Sequence, residues 1–305
     1  MINRYSYKDT VWVDITNPTE VEIDTVAKEF NITPRVIGEL TTPSIKSRVE
    51  LHKDYIYMIL HFPAFRHSHT GNDGKQEVDF VIGKNFLITA RYDTIDAIEK
   101  FAKVVEVNSI LGRGFEENLT GTIFFGIIQE IYLSLFNELE YIENWLNKIE
   151  DGIFNGEEKE MVGALSQASR TLLNFKKSTD FHKEVLESLD YFGKKIFDEH
   201  FSYHTRRIVD EYFKVQNTLK NNMELVTELR ETNNSLLSTK ENETMRTLTT
   251  LAFVTFPLTL IAAIFGMDTH YSPILGSPHD FWIIISIMVF STILMYAFFK
   301  HKRWF

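Results

Sequence analysis

Residues 247–267 read TLTTLAFVTFPLTLIAAIFGM, a run of 21 residues that lies between Arg246 and Asp268 and contains no charged side chain. As an α-helix rising about 1.5 Å per residue, this run would be about 31 Å long, close to the thickness of the hydrocarbon core of a bilayer. Residues 281–299, FWIIISIMVFSTILMYAFF, form a second uncharged run. The two runs predict two membrane-spanning helices joined by an extracytoplasmic loop of residues 268–280.

Positive charges flank the two runs on one side only. Lys240 and Arg246 precede the first run, residues 300–303 (Lys-His-Lys-Arg) follow the second, and the connecting loop has no lysine or arginine. Because short loops rich in lysine and arginine remain cytoplasmic, both chain termini are expected on the cytoplasmic side of the cell (inner) membrane. Residues 300–305 then form a basic cytoplasmic tail.

The composition leaves room for a sizeable domain besides the hairpin. The chain has 305 residues, 44% of them hydrophobic, and a formal net charge of −10. An acidic chain argues against nucleic acid as a partner and is compatible with attracting cations. The absence of cysteine excludes disulfides, thiolate metal sites and cysteine nucleophiles. Since no Walker loop and no catalytic triad is present, the chain is not expected to be an enzyme.

Residues 1–93 contain several short segments with the patterns of strands, of which residues 10–16 alternate apolar and polar positions. A strand is predicted over 10–16, a helix over 18–30, two strands within 48–62 and two more within 77–90. This region is therefore expected to be a mixed, mostly antiparallel sheet with helices, of the α+β or α/β class.

From residue 94 onward the pattern is helical. Residues 94–190 predict an amphipathic helix over 94–107 and a hairpin of two long helices, 119–150 and 157–189, around a turn that contains Gly156. Between Gly193 and Pro257 there is neither glycine nor proline, so residues 191–246 are expected to form a long stalk helix that runs into the first span.

A hydrophobic seam follows the stalk at the spacing of a packed helix. It consists of Ile208, Tyr212, Val215, Leu219, Val226, Leu229 and Leu236, with Asn222 and Asn233 between them. Two interpretations are open: the seam packs against helices of its own chain, or it joins a second copy of the stalk.

Three histidines raise the question of a metal site. His61, His67 and His69 lie at a predicted strand end and in a polar loop, and their spacing matches no compact helical pair. Ordinary surface histidines are therefore expected here.

Two helices alone cannot enclose an aqueous path, so a pore would require several copies of the chain. The first run carries most of the threonines and is the better lining candidate, whereas the second run is expected to face lipid. Pro257 lies within the first run and would free one backbone carbonyl, which makes it a candidate hinge.

The run from Met245 to Asp268, the second span and the terminal Lys-His-Lys-Arg-Trp-Phe resemble the CorA family of magnesium and cobalt channels. The phrase Gly-Lys-Asn-Phe-Leu-Ile-Thr at residues 83–89 fits the same architecture. The resemblance implies a homopentameric channel: an α+β or α/β cytoplasmic domain, a long helical stalk and a two-helix transmembrane hairpin. The transported ion would be Mg²⁺, and also Co²⁺ or Ni²⁺, moved passively by the membrane potential.

The resemblance also implies a set of site residues. Gly266, Met267 and Asp268 would form the selectivity mouth, with Asp268 as the metal ligand. The pore lining would comprise Asn242, Met245, Leu248, Thr249, Ala252, Phe256 and Thr259. Leu248 and Phe256 would be hydrophobic constrictions, which close a pore by dewetting. Cytoplasmic divalent ions would gate the channel at Asp93, Asp96 and Asp210, and Mg²⁺ would serve there as well as being transported.

The chain departs from the family at one position of the mouth. Where the family signature is Gly-Met-Asn, this chain has Asp268 as the third residue. Neutral amide oxygens suit Mg²⁺, which releases its waters reluctantly, whereas a ring of carboxylates would attract the ion more strongly. Two alternatives therefore stay open: a zinc-transporting relative of the same superfamily, against which Met267 argues, and a non-conducting membrane-anchored scaffold or divalent sensor.

Overall fold

A computed structural model describes residues 1–7, 9–64, 75–110, 119–197, 199–267 and 279–301. The chain forms two compact units, residues 1–230 and 231–305. The predicted fold class is confirmed: a domain of sheet and helices, a long helix, and two apolar helical segments at the C-terminal end.

The first unit is built on a six-stranded mixed sheet. Its strands are β1 Ile2–Tyr7, β2 Thr10–Thr16, β3 Arg48–Leu51, β4 Tyr55–Pro63, β5 Lys75–Gly83 and β6 Phe86–Arg91. The order is β1-β2-β6-β5-β4-β3. The pair β2 and β6 is parallel, and the other neighbours are antiparallel. The two predicted strand pairs within 48–62 and 77–90 are confirmed, and β1 is an additional edge strand.

Two short helices cover one face of this sheet. Helix α1 spans Glu20–Glu29, and helix α2 spans Pro34–Leu40. Helix α1 begins two residues later than predicted because Thr19 is its N-cap and forms a reciprocal capping box with Glu22. Apolar residues of both helices share a buried core with odd-numbered residues of β2, β4 and β5 and even-numbered residues of β6.

The opposite face of the sheet is covered by longer helices: α3 Asp96–Ile110, α4 Leu119–Phe154, α5 Glu158–Thr179 and α6 His182–Ile196. The indole of Trp12 lies 6.0 Å from the ring of Phe101 in α3. Phe80 of β5 meets Phe124 of α4 edge-on, with 5.4 Å between centroids. The first unit therefore has three layers, with the sheet in the middle.

Helices α4 and α5 form the predicted hairpin, whose turn contains Gly156 with a φ of 95°, a conformation that glycine adopts without strain. The single helix predicted over 157–189 is wrong, because α5 ends at Thr179 and α6 begins at His182. The hydroxyl of Thr179 donates to the carbonyl of Phe175, one turn earlier. Such side-chain bonds compete with the helical backbone ladder and favour a helix end.

The long helix α7, Glu199–Phe265, also begins later than predicted. No glycine or proline interrupts the chain after Gly193, yet Phe197 is extended, with φ −110° and ψ 179°. Phe197 stacks on Phe201 with 4.4 Å between centroids. Phe201 lies so close to Gly193 that a Cβ atom there would come within 2.4 Å of its ring. Aromatic packing therefore separates α6 from α7 without a helix-breaking residue.

The hydrophobic seam of α7 packs against helices of its own chain. Its residues in the first unit are all buried: Ile208, Tyr212, Val215, Leu219, Val226 and Leu229. Asn222 on the same seam donates from Nδ2 to the carbonyl oxygen of Leu139 in α4 at 2.9 Å. Gln216 donates from Nε2 to the hydroxyl of Thr179 in α5, also at 2.9 Å. Of the two interpretations of this seam, packing within one chain is confirmed for these residues.

In the second unit, α7 continues to Phe265 and α8 spans Asp280–His301. Each helix contains a stretch long and apolar enough to cross a membrane, with mean hydropathies of 2.1 and 2.2. The two uncharged runs of the sequence are therefore the parts of the chain suited to a bilayer.

Candidate ion pathway

One face of α7 in the second unit packs against α8. On α7, one row of buried and half-buried positions recurs every three or four residues: Thr250, Val254, Pro257, Leu258, Ile261 and Phe265. Thr249 and Ala252 are also half-buried but lie outside this row. The matching positions on α8 are Ile284, Met288, Ser291, Thr292, Met295 and Phe299. The ring of Phe299 lies 6.2 Å from the ring of Phe253. We call these two rows the interhelix seam.

The predicted lining residues lie on the other side of α7. Because a helix has 3.6 residues per turn, alternating steps of three and four residues keep one face. Asn242, Met245, Thr249, Ala252, Phe256 and Thr259 follow such steps and form a single stripe roughly opposite the interhelix seam. Met245 is 64% exposed and Phe256 is 72% exposed in the isolated chain. We call this row the lining stripe; Leu248, which is also exposed, lies at its edge.

The lining stripe alternates polar and apolar groups. The hydroxyl of Thr259 donates to the carbonyl oxygen of Thr255 at 2.8 Å, which leaves the lone pairs of its oxygen free to accept. Asn242 offers an amide oxygen on the same face. Acceptors of this kind suit a cation that keeps its water shell, because the waters donate outward. Ala252 and Phe256 form an apolar interval between the two polar ends.

Helix α7 contains Pro257 within its apolar part. Proline has no N–H, so the carbonyl oxygen of Phe253, four residues earlier, receives no helical hydrogen bond from it. The nearby hydroxyl of Thr255 donates to the carbonyls of Leu251 and Ala252, at 3.0 and 3.3 Å, and not to that of Phe253. The helix is therefore weakened at Phe253, one turn before Pro257.

The helix ends where the predicted selectivity mouth begins. The N–H of Gly266 donates to the carbonyl of Ala262 at 2.9 Å, and the N–H of Met267 donates to that of Ile264 at 3.4 Å. A Cβ atom at position 266 would lie 3.1 Å from the Ala262 oxygen, so the turn favours glycine. Met267 is 59% exposed. Asp268 lies outside the described residues.

The predicted regulatory carboxylates belong to the first unit. Asp93 follows β6, Asp96 begins α3 and Asp210 lies on α7, and all three are exposed. Asp93 accepts a hydrogen bond from the N–H of Thr94 at 2.7 Å. Across the part of the chain that the structure describes, no group of three or more histidine and carboxylate side chains could hold a metal ion. One chain alone therefore does not assemble these residues into a site.

His61 is not the surface histidine that was expected, because it is only 6% exposed. Its Nε2 lies 3.0 Å from Oε2 of Glu77 and 3.0 Å from the carbonyl oxygen of Ser44. Its Nδ1 lies 3.0 Å from the hydroxyl of Ser47, which also accepts from the His61 N–H. These bonds fix the loop before β3 to the sheet. His67 and His69 lie outside the described residues.

Two ionisable side chains near His61 are fully buried. The hydroxyl of Tyr57 donates to Oδ2 of Asp79 at 3.3 Å. Burial, followed by the nearby charge of Glu77, raises the pKa of Asp79 well above its ordinary value. On the other face of the sheet, burial lowers the pKa of His182 to about 4. His182 is therefore expected to be neutral at neutral pH.

The interhelix seam and the contact between Phe253 and Phe299 could not be predicted from the sequence. Helix α8 is apolar on nearly every face, so no periodicity distinguishes the side that meets α7. The buried state of His182 was missed as well, since nothing near it in the sequence marks it. The spacing of residues 250, 254, 257 and 261 was the available signal for the seam on α7.

Comparison with known proteins places the chain among transporters. The family described as CorA-like Mg²⁺ transporter protein matches residues 7–301. The cobalt/magnesium transport protein CorA of Thermotoga maritima is 24% identical over 294 residues, which are 96% of this chain and 83% of that protein. The protein of the same name from Methanocaldococcus jannaschii is 24% identical over 99% of this chain and 94% of its own length.

Solved structures show the same fold. The complete structure of the CorA magnesium transporter from Methanocaldococcus jannaschii superposes with a TM-score of 0.84 at 23% identity, covering 98% of this chain and 93% of that one. The cytoplasmic domain of ZntB from Vibrio parahaemolyticus has a TM-score of 0.61 at 12% identity and covers 76% of this chain and 89% of that domain.

Proposed function

We propose that this chain, which belongs to the CorA-like Mg²⁺ transporter family, forms a homopentameric channel that carries Mg²⁺, and also Co²⁺ and Ni²⁺, across the cell (inner) membrane. Its relatives are named as transport proteins, and the chain is not an enzyme. Membrane lipid surrounds the second spans, and both termini lie in the cytoplasm.

The observation that carries the proposal is the placement of the lining stripe roughly opposite the interhelix seam. With α8 on one face, the other side of α7 presents an amide, hydroxyl groups and a large exposed aromatic ring. Polar side chains in a membrane-spanning helix are costly to expose to lipid, so they are expected to face other copies of the same helix or water. Five copies of α7 around an axis would give such a path.

Transport down the membrane potential needs no further energy source. Moving a doubly charged ion through about 100 mV releases roughly 4.6 kcal/mol. The hydrated ion would enter at Gly266, Met267 and Asp268, beyond the last turn of α7. Asp268 would then be the metal ligand of the mouth.

Closure of the path would depend on its apolar interval. Phe256 and Leu248 are the large apolar side chains on or beside the lining stripe, and a ring of such groups closes a pore by excluding water. Pro257, immediately after Phe256, would act as the hinge that changes the width of this constriction.

Cytoplasmic Mg²⁺ would regulate the channel through Asp93, Asp96 and Asp210. Since these carboxylates form no metal-holding group within the described part of one chain, a bound ion would need oxygen atoms from a neighbouring subunit. Such an ion would link the subunits and favour the closed state.

Two alternatives are tested alongside this function. The first is a zinc-transporting relative of the same superfamily, against which Met267 argues. Asp268, in place of the family's asparagine, favours a non-conducting scaffold or divalent sensor.

Liposome uptake separates the three functions. The full chain would be reconstituted with a fluorescent Mg²⁺ or Zn²⁺ indicator inside and an imposed inside-negative potential. A channel of the proposed kind gives Mg²⁺ uptake that rises with the potential and exceeds Zn²⁺ uptake. Zinc uptake without magnesium uptake would establish the zinc alternative, and uptake of neither ion would establish the scaffold.

A further inference from the structure

One contact between the two membrane-spanning helices coincides with the weak point of α7. The carbonyl of Phe253 receives no helical hydrogen bond from Pro257, and the side chain of the same residue contacts the ring of Phe299, with 6.2 Å between centroids. The two rings are tilted by 50°. The residue at which α7 can bend is therefore also a residue by which α7 is attached to α8.

Phe299 is the buried end of this contact. It is 7% exposed, whereas the adjacent Phe298 is 55% exposed. Among the described residues of α8, Phe299 alone is buried. On α7, Thr250 is 5% exposed and lies one turn before Phe253. The last turn of α8 therefore fits closely against α7 below the hinge.

Phe253 lies on the flank of α7 between the interhelix seam and the lining stripe. Phe256 of the lining stripe follows it by three residues, so the two rings occupy neighbouring positions on the helix surface. A rotation of α7 about its axis at Phe253 would move Phe256 by a similar angle. Holding Phe253 thus fixes the direction of the ring that follows.

We infer that Phe299 is a positioning residue for the ion pathway: its ring holds α7 at Phe253, so that the bend at Pro257 leaves Phe256 directed into the path. The inference rests on the proposed function, since it assigns Phe299 a role in a pathway that the lining stripe forms. Phe299 itself does not contact the ion.

The absence of native cysteine permits a direct test, because a single cysteine can be placed beyond the constriction by Thr259→Cys. The readout is the rate at which a charged methanethiosulfonate reagent, applied from the cytoplasmic side, modifies this cysteine in the reconstituted full chain. In the Phe299→Ala variant we expect this rate to rise about tenfold or more, because Phe256 no longer stays in the path.

Two further variants separate positioning from general damage. Phe299→Tyr keeps the ring and should retain the slow rate, and Phe290→Ala removes an exposed aromatic ring of α8 as a matched control. Phe253→Ala removes the other partner, and the double variant with Phe299→Ala should show no further acceleration if the two rings act as one unit. If Phe299→Ala fails to assemble, Phe253→Ala by itself still tests the same contact.

Mg²⁺ uptake by the unsubstituted chain separates the two hypotheses. If that chain takes up Mg²⁺ while Phe299→Ala and Phe253→Ala leave the rate of cysteine modification unchanged, the positioning role is wrong and the proposed function stands. If Phe290→Ala accelerates the reaction equally, the effect is general and the positioning role is again wrong. An unsubstituted chain without Mg²⁺ uptake would overturn the proposed function, and the inference with it.

Discussion

His182 donates a hydrogen bond of 2.7 Å from Nε2 to the main-chain carbonyl oxygen of His61. Because a carbonyl only accepts, Nε2 must carry the proton, and Nδ1 of the neutral ring then accepts from the hydroxyl of Tyr132 at 2.8 Å. The imidazole is fully buried and joins β4 to α4 and α6. A second proton on Nδ1 would oppose the hydroxyl proton of Tyr132.

This geometry predicts a loss of stability in mild acid. The pKa of His182 falls from 6.5 to about 4 on folding, so the unfolded chain binds more protons between these pH values. The neutral ring of His182 therefore contributes about 3 kcal/mol to the free energy of unfolding. This contribution is fully present above pH 6.5 and is lost as the pH falls toward about 4. His182→Gln keeps a donor and an acceptor but cannot titrate, so its unfolding free energy should depend less on pH in this range.

The measurement is the urea midpoint of the full chain in detergent between pH 4 and 7, followed by the fluorescence of the buried Trp12 with the other three tryptophans replaced by phenylalanine. His279→Gln, at an exposed histidine, is the control. An unchanged pH slope in His182→Gln would contradict the prediction.

Asp79 should make the stability of the chain depend on pH in the direction opposite to that of His182. Its pKa is raised in the folded chain, so the folded state binds more protons above the ordinary pKa of 3.8 and stability falls as the pH rises from there. Asp79→Asn keeps the shape and can still accept from Tyr57, so it should stabilise the chain at pH 7 and leave the stability nearly unchanged near pH 3. If Asp79→Asn shifts the urea midpoint equally at pH 3 and at pH 7, ionisation of the buried Asp79 is not the cause.

Asp268→Asn should weaken divalent binding at the mouth and speed transport. Five carboxylates attract a cation more strongly than five amides, and an ion must also leave for conduction to continue. We expect half-saturation for Mg²⁺ to rise by roughly tenfold, equivalent to about 1.4 kcal/mol, with a higher maximal uptake rate and weaker block by cobalt hexammine. The control is Asp280→Asn, an acidic residue at the start of α8. Identical uptake and block curves for Asp268→Asn and the parent would refute the role of this carboxylate.

Phe256→Ala should make the channel leaky. Removing the ring widens the apolar interval and lets water enter, which removes a dewetted barrier. Mg²⁺ uptake into liposomes under conditions that close the parent should rise by about tenfold or more. Leu251→Ala removes another exposed apolar group of α7, 57% exposed and turned away from the lining stripe, and should have little effect. Equal effects of the two substitutions would place the constriction elsewhere.

The sequence was sufficient for the features that depend on charge and local periodicity. Two uncharged runs predicted the apolar helices, and the spacing of Ile208, Tyr212 and Val215 predicted the packed side of α7. The end of α6 could not be predicted, because it coincides with the stacking of Phe197 on Phe201, which in turn packs on Gly193, and this is a tertiary effect. His61 was misjudged for the same reason, since its burial depends on a loop and a strand remote in sequence.

Part of the candidate site was likewise accessible from spacing. The residues of the lining stripe follow one another at steps of three and four, which can be counted along the sequence. Pro257 can likewise be seen in the sequence directly. The interhelix seam was not accessible, because nearly every residue of α8 is apolar and its choice of face depends on shape. Burial of Phe299 is the clearest example: its neighbour Phe298 has the same side chain and stays 55% exposed.

The sheet order has a consequence for how the chain folds. Strands β3 to β6 pair in sequence as hairpins, and β1 pairs with β2 in another, so each piece forms from nearby residues. Within the sheet, the pieces join through the parallel pairing of β2 with β6, in which Val11 meets Phe86. Bringing together residues that are far apart in the chain costs more loop-closure entropy than forming a hairpin. The pairing of β2 with β6 is therefore expected to be the slow event. During synthesis the first hairpin must therefore wait, unpaired on one side, until β6 has left the ribosome.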